Sequence, residues 1–290
     1  MWRLGVLYLD ALPSHQITLG KAIHMEVTLI PNQRRPGIGR RPAPENRRAW
    51  LPQQARFCPV IEDASRTGFL VYPPLQDQEI FQVRRLREDH LRFTLALTGD
   101  DSTTRPLWTL ELTMAAGSGG LDSYDVRFVA DELDLNQEQV IAQLEALTTN
   151  LNGPPGAVGL RGAYDFATPE GWDTFYMGVT NELAPPHVPV MTARIETDWY
   201  SQATEFRHVL AVGQTLSVAG TSPIGQVIFI PRDDVMLIDS TEVDATRFTE
   251  SQQQYWHERA GKEKATNFGT LYTYHYRDLQ KEHRETEASD

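Results

Sequence analysis

The sequence predicts a mainly β protein of the α+β class, with an antiparallel β-sandwich or jelly-roll-like core and two peripheral helices. Three observations support this class. Short runs rich in valine, isoleucine, threonine, phenylalanine and tyrosine recur along the chain and are separated by turn residues. Only two segments have apolar residues at helical spacing. The regular alternation of strand and helix that a doubly wound fold requires is missing from the pattern.

Twelve short segments have the composition of β-strands. Leu91–Leu97 and Leu107–Thr113 alternate apolar with polar residues, so we expect two antiparallel neighbours joined by the loop between them. Gln226–Ile230 is almost wholly apolar, as in a strand covered on both faces, and Pro231 is predicted to end it because proline has no backbone N–H. The other predicted strands are Glu26–Ile30, Gly68–Tyr72, Ile80–Val83, Tyr124–Val129, Thr174–Val179, Val190–Ile195, Glu205–Val212, Thr215–Val218 and Leu271–Tyr276.

Two helices are predicted. The first follows Asn136, whose side chain is expected to form a capping box with Gln139, and its apolar residues recur at helical spacing up to Leu151. The second is predicted at about residues 246–264. It carries aromatic residues on an otherwise polar surface, so we expect it to lie at the periphery.

The 290 residues are sufficient to bury a full core, and we predict a single integrated β-rich domain over residues 25–277. Residues 1–24 are interpreted as an N-terminal extension or a first strand, and residues 278–290 as a frayed tail. The stretch NGPPGAVGLRG is rich in glycine and proline. It is the best candidate for a boundary between two halves, 25–152 and 160–277.

Composition excludes several classes of function. The single cysteine, Cys58, excludes an intrachain disulfide and any site that needs several cysteines, and it favours a reducing compartment, the cytoplasm. A net charge of −12 argues against nucleic acid as a partner. No stretch is apolar enough for a transmembrane segment. Phosphate-binding loops, dinucleotide fingerprints, nucleophile elbows and the His-Glu-x-x-His motif are missing from the sequence.

The charge is unevenly distributed. Seven arginines and one acid lie between Arg34 and Arg56, whereas residues 233–250 contain six acids. One interpretation is a solvated loop and a solvated acidic surface. The other is a basic arm that binds an acidic protein, a second copy of the chain or an anionic membrane surface. The arginines assigned to binding are Arg34, Arg35, Arg40, Arg41, Arg47 and Arg48.

The segment ARIETDWY, residues 193–200, contains the most reactive combination of side chains. Glu196 and Asp198 are two residues apart, so an extended chain would direct both to one face, with Trp199 in the core. Such a pair is suited to acid/base chemistry or to metal binding. The alternative is that both carboxylates point to solvent or pair with Arg194 or Arg207 across a hairpin.

Histidines near this segment extend the catalytic hypothesis. His208 lies on the next predicted strand and His187 in a proline-rich turn. Together with Glu196 and Asp198 they are candidate ligands of an iron ion, as in a jelly-roll oxygenase. Arg232 is a candidate for binding a substrate carboxylate through two parallel hydrogen bonds.

Four phrases, taken as a set, resemble a bacterial protein family known only as a domain of unknown function, family 6065. They are FCPVIEDASRTGF, GWDTFYMGVTNEL, ARIETDWY and GQTLSVAGTSPIGQVIFIPRD. The matching positions are Cys58, Ala64, Gly68, Asn181, Glu196, Thr197, Asp198, Trp199, Pro223, Ile224, Gln226, Pro231 and Arg232. The chain departs from the pattern at Ser65, Phe69 and Thr180. The resemblance implies one β-rich domain over residues 25–277 and supplies no reaction.

Two functions are compatible with these observations. The first is a non-catalytic binding, accessory or assembly subunit that acts through the arginine-rich loop and the acidic surface, and the sequence favours it because no complete catalytic constellation is visible. The alternative is a small-molecule enzyme of jelly-roll type, such as an iron-dependent oxygenase.

Overall fold

The structure is a computed structural model. It describes residues 25–45, 47–53, 55–99, 103–114, 124–131, 133–149, 154–183, 188–233, 241–265 and 271–287. Strands account for 36% and helices for 23%, and the sheets are antiparallel, which confirms the predicted mainly β class.

Fifteen strands are formed in the described parts of the chain, and twelve of them overlap the twelve predicted segments. The strands are β1 (Thr28–Pro31), β2 (Phe69–Val71), β3 (Glu79–Arg87), β4 (His90–Thr98), β5 (Thr104–Met114), β6 (Tyr124–Asp131), β7 (Ala157–Arg161), β8 (Tyr164–Ala167), β9 (Trp172–Met177), β10 (Ala193–Ile195), β11 (Glu205–Val209), β12 (Thr215–Ala219), β13 (Gly225–Pro231), β14 (Lys264–Ala265) and β15 (Leu271–Tyr272). The helices are α1 (Pro59–Ala64), α2 (Gln137–Leu147), α3 (Glu242–Ala260) and α4 (His275–Glu287), with 3-10 turns at Arg47–Trp50 and Ala55–Phe57.

Two larger sheets dominate the fold. The five-stranded sheet has the order β12-β3-β4-β5-β6, and the predicted pairing of β4 with β5 is confirmed, with Leu95 opposite Trp108. The four-stranded sheet has the order β10-β9-β13-β2, so β13 is a central strand that ends at Pro231, as predicted. Three two-stranded ladders, β1-β8, β11-β7 and β14-β15, complete the described strands.

One hydrophobic cluster joins these elements. Phe81, Phe93 and Trp108 enter it from the five-stranded sheet, and Tyr176 and Val227 enter it from the four-stranded sheet. The cluster draws side chains from both sides of the glycine- and proline-rich stretch. The two sheets therefore share a single core.

Helix α2 closes one side of this core. Its buried apolar residues include Val140 and Leu144, and Gln143 accepts a 2.8 Å hydrogen bond from the indole N–H of Trp108. The predicted capping box of Asn136 with Gln139 is confirmed. Because the cap satisfies backbone N–H groups at the helix start, α2 begins at the position that the sequence predicts.

Several elements differ from the expectations. The stretch interpreted as a boundary contains β7, whose Val158 and Leu160 are buried; its glycine, Gly159, packs against Thr149 so closely that a side chain would not fit. Residues 278–287 of the tail that was predicted to be frayed lie in α4, which Arg277 ties to the buried Glu62 of α1. Along the described ranges, no helix is long and apolar enough to cross a membrane.

Candidate functional site

The carboxylates of ARIETDWY converge on one arginine. Strand β10 ends at Ile195, and the chain then turns, with the backbone N–H of Tyr200 donating to the carbonyl of Glu196 at 2.9 Å. Within this turn Asp198 accepts a 2.6 Å hydrogen bond from Nη2 of Arg232, and a Glu196 oxygen lies 3.6 Å from Nη1 of the same guanidinium. The predicted pair therefore shares a cation from another strand end.

A third carboxylate, Asp173 on β9, lies beneath this cluster. It is 1% exposed and accepts hydrogen bonds from Arg232 (2.9 Å from Nε) and from Arg194 (2.6 Å). Burial on its own would raise the pKa of Asp173, but the hydrogen bonds from Arg232 and Arg194 outweigh it and hold the pKa below its ordinary value. The hydrogen bond from Arg232 lowers the pKa of Asp198 in the same way.

This ion-pair cluster is better suited to stabilising the fold than to transferring protons. A general acid or base works best when its pKa lies near the operating pH, whereas the pKa values of Asp173 and Asp198 are shifted further from neutrality. Arg232 is also occupied by internal carboxylates, which leaves fewer donors for the substrate carboxylate that the sequence suggested. The geometry favours the interpretation in which the cluster holds the ends of β9, β10 and β13 together.

Trp199 does not enter the core, so that expectation is wrong. It is 68% exposed, its ring lies 5.6 Å from that of Tyr200, and its indole N–H donates to Glu196. Alternation of side chains applies only while the chain is extended, and the strand has already ended at Ile195. The inward residue is instead Thr197, which is 4% exposed and bonds to two other threonines.

His208 lies in a different place. It is on β11, opposite Val158 of β7, and is 5% exposed. It lines a pocket of about 520 Å³, here called the His208 pocket, to which Glu196 does not contribute. The neighbouring Arg207 pairs with Glu205.

The hypothesis of an iron site has little support from the geometry. His187 lies outside the described residues. Within the ranges that are described, no three side chains of histidine, cysteine, aspartate or glutamate come close enough to hold a metal ion. The structure thus separates His208 from the carboxylates with which the sequence grouped it.

Apolar and polar groups contribute to the walls of the His208 pocket in nearly equal measure. They come from β11 and β12, from the turn before β13 and from the chain between β9 and β10. The polar lining residues are Glu182, His208, Ser217, Thr221 and Ser222. The apolar lining residues are Val179, Leu183, Val188, Val190, Leu216, Val218, Pro223 and Ile224.

A buried polar network braces one wall of this pocket. Gln226 on β13 is fully buried, and its carbonyl oxygen accepts from Arg47 at 3.0 Å and from the backbone N–H of Thr180 at 2.8 Å. Its amide donates to the carbonyl of Thr67. Gln226 therefore fixes Thr180, next to the lining residue Val179, against the strand that follows Ile224.

Asn181 extends the same network. Its backbone is in the left-handed region, with φ of 62°, and its side-chain amide donates to the hydroxyl of Ser65 at 2.9 Å. The carbonyl of Ser65 accepts from Arg47, which is 3% exposed. Burial holds the pKa of Arg47 below its ordinary value, although the charges of Glu45 and of Glu182 at the pocket act in the opposite direction. The network thus links α1 to the pocket wall.

The sequence did not identify most of the polar lining residues. Glu182 lies in the loop between β9 and β10, and Thr221 and Ser222 lie in the turn between β12 and β13. None of them belongs to a periodic pattern, and only the folding of the chain brings them near His208. The available signals were two of the four phrases quoted above, GWDTFYMGVTNEL and GQTLSVAGTSPIGQVIFIPRD, which both contain lining residues.

The arginine-rich loop is largely bound to the body of the protein. Arg34 pairs with Glu145 at 2.7 Å, Arg35 with Glu79 at 2.9 Å and Arg40 with Asp77 at 3.0 Å. Arg47 is buried, as described above, and the side chain of Arg48 lies outside the description. Arg41 is exposed and lines a separate cleft. At least four of the predicted binding arginines therefore have internal partners.

Comparison with known proteins gives no functional assignment, so the function is argued from the geometry alone. No family model matches this chain, and a search of curated proteins finds no similar sequence. The resemblance to the family of unknown function stays a prediction.

Proposed function

We propose that this protein is a non-catalytic binding protein that holds a small molecule with both an apolar body and polar groups in the His208 pocket. The observation that carries the proposal is the pocket itself. Its volume of about 520 Å³ lies within the range of about 300–1,000 Å³ that is typical of small-molecule sites. Eight apolar and five polar side chains line the pocket, and polar groups placed among apolar side chains are what orients a ligand in such sites.

The lining suggests the chemistry of the ligand. Apolar walls bury a hydrocarbon or aromatic body, and the imidazole of His208 can donate or accept a hydrogen bond at one end. The hydroxyl groups of Ser217, Thr221 and Ser222 supply further donors and acceptors. No lysine or arginine lines the pocket among the described residues, so it offers no direct counter-ion to an anionic ligand.

A catalytic role is less well supported. Glu196 and Asp198 are directed at Arg232, and His208 is in another region. The candidate acid/base groups therefore do not meet around one substrate position. Binding requires only the shape and polarity of the pocket, which the described residues supply.

The test is a titration with a neutral fluorescent probe, N-phenyl-1-naphthylamine, whose emission increases in apolar sites. We expect saturable binding to the wild type. Ser217→Trp places an indole in the pocket from an exposed lining position. It should lower the affinity for the probe by about tenfold or more, which corresponds to about 1.4 kcal/mol of binding free energy.

The matched control is Ser201→Trp, an exposed serine that does not line the pocket. It should bind the probe as the wild type does. The proposal fails if the wild type shows no saturable binding, or if Ser217→Trp and Ser201→Trp have the same affinity.

The wider role proposed for such a protein is that of an accessory subunit in the cytoplasm. The single Cys58 is compatible with a reducing compartment. A protein partner or a second copy would meet the exposed remainder of the arginine-rich loop or the acidic helix α3. Sedimentation at low and at high salt tests self-association, and a salt-independent monomer at all concentrations would count against it.

A further inference from the structure

A second, smaller cleft differs from the His208 pocket in its charge. Its only charged lining group among the described residues is a cation. Side chains alternate where the chain enters β1: Val27 and Leu29 are half-buried, whereas Thr28 between them is exposed. The two apolar side chains therefore share one face. This face forms one wall of a cleft of about 210 Å³.

Aromatic rings form the other wall. Phe229 of β13 lies 5.7 Å from Phe69 and 5.6 Å from Phe166, measured between ring centroids. Both pairs are tilted or edge-on, and such an arrangement leaves ring faces and edges available to a third aromatic group. Phe69 is 36% exposed, so the apolar surface is open to solvent.

The position of Arg41 over this cleft is set by the backbone. Ala43 and Leu70 exchange two hydrogen bonds, of 3.3 Å and 2.9 Å, which pin the loop beside β2 and place Arg41 and Pro42 at the cleft. Arg34, Arg35, Arg40 and Arg47 of the same loop have internal partners. Arg41 is exposed and has no hydrogen bond or ion pair with any residue that the structure describes.

We propose that this Arg41 cleft is a second binding site, and that its ligand is a small aromatic monocarboxylate. The carboxylate would take two hydrogen bonds from the planar guanidinium, which is the geometry that arginine offers to such groups. The aromatic body would lie among Phe69, Phe166 and Phe229. A volume of about 210 Å³ limits the ligand to one ring with a short side chain. The His208 pocket, by contrast, is lined by the carboxylate of Glu182 and by no lysine or arginine among the described residues, so it does not suit a carboxylate.

The experiment follows the methyl signal of Met25, which lines the Arg41 cleft, in protein labelled at its methionine methyl groups. Met25→Leu assigns the signal among the six methionines. Phenylacetate should shift this signal and bind at least about tenfold more tightly than 2-phenylethanol, because a hydrogen bond to a charged group contributes that much. Acetate, which lacks the aromatic body, should not shift it.

Two variants distinguish the effect of the Arg41 charge from an effect on the folding of the cleft. Arg41→Met should bind phenylacetate and 2-phenylethanol equally, and its retained binding of the alcohol shows that the cleft is intact. Arg34→Met removes an arginine of the same loop that pairs with Glu145, and it should keep the preference for phenylacetate. The proposal is overturned if phenylacetate leaves the Met25 signal unchanged, or if Arg41→Met retains the tenfold preference. Neither result affects the probe titration of the His208 pocket.

Discussion

Replacing Gln226 by methionine tests whether the buried network stabilises the fold. Methionine has a similar volume, so little cavity is created. The substitution removes the acceptor for Arg47 and for the backbone N–H of Thr180, and the donor to the carbonyl of Thr67. Thr67 is exposed, and its carbonyl can bond to water. The expected cost therefore arises from Arg47 and Thr180.

Each buried donor left without an acceptor costs about 1–3 kcal/mol. Arg47 keeps its hydrogen bond to Ser65, so its charge is not left without any partner. Two lost acceptor contacts give an expected loss of about 2–6 kcal/mol in the free energy of unfolding. That is a large fraction of the roughly 5–15 kcal/mol by which a typical native protein is stable.

The assay is urea unfolding followed by far-ultraviolet circular dichroism, with the slope against urea required to be unchanged. Gln82→Met is the matched control. Gln82 is a half-buried strand glutamine with one exposed, 3.3 Å hydrogen bond to Ser217, so its loss should change stability by less than about 0.5 kcal/mol. The reasoning is refuted if Gln226→Met costs no more than Gln82→Met.

A double variant sharpens the result. Arg47→Met and Gln226→Met remove both partners of one buried hydrogen bond, which is less costly than removing either partner alone. Their combined effect should therefore be smaller than the sum of the two single effects, by about 1 kcal/mol or more. Strict additivity would show that the two side chains do not act as a unit.

Two further predictions concern packing and pH. Gly225→Ala directs a methyl group into the buried ring of Phe206 and should destabilise the protein by about 1–3 kcal/mol in thermal unfolding. The control is Gly178→Ala, whose added methyl group would lie 3.6 Å from its nearest neighbour and should be tolerated. Equal melting temperatures of the two variants would contradict this prediction. The pKa of Asp173 is held below 3.8, so its contribution to stability is present above pH 3.8 and is lost as the pH falls through the lowered pKa. In Arg232→Met the loss of unfolding free energy between about pH 5 and about pH 3 should be smaller than in the wild type, and an equal loss would refute the assignment.

The elements that the sequence predicted well are those whose signal is local. Alternation along β4 and β5, the apolar run of β13 and the capping box of α2 each depend on residues close together in the chain. Helix α3 begins at Glu242, about four residues before the prediction, because Thr241 and Asp244 form a second capping box that was not recognised. This signal was also local and was available.

The elements that were missed depend on contacts between distant parts of the chain. Strand β7 contains a glycine and follows two prolines, which is typical of a loop, but pairing with β11 buries it. The separation of His208 from Glu196 has the same origin. Proximity in sequence suggested one site, whereas the structure places His208 on the β11–β7 ladder and Glu196 in the turn that follows β10 of the four-stranded sheet. No periodic pattern in a single sequence contains that information.

The strand β13 connects the two polar assemblies of this protein. Gln226 lies near its beginning and Arg232 directly follows its end, so about 20 Å of extended backbone separates them at about 3.3 Å per residue. Inserting or deleting one residue between them would rotate one assembly to the opposite face of the sheet. The length of the strand thus sets the spacing and the relative orientation of the two assemblies. We expect its sequence to tolerate exchanges of one apolar side chain for another far better than any change in its length.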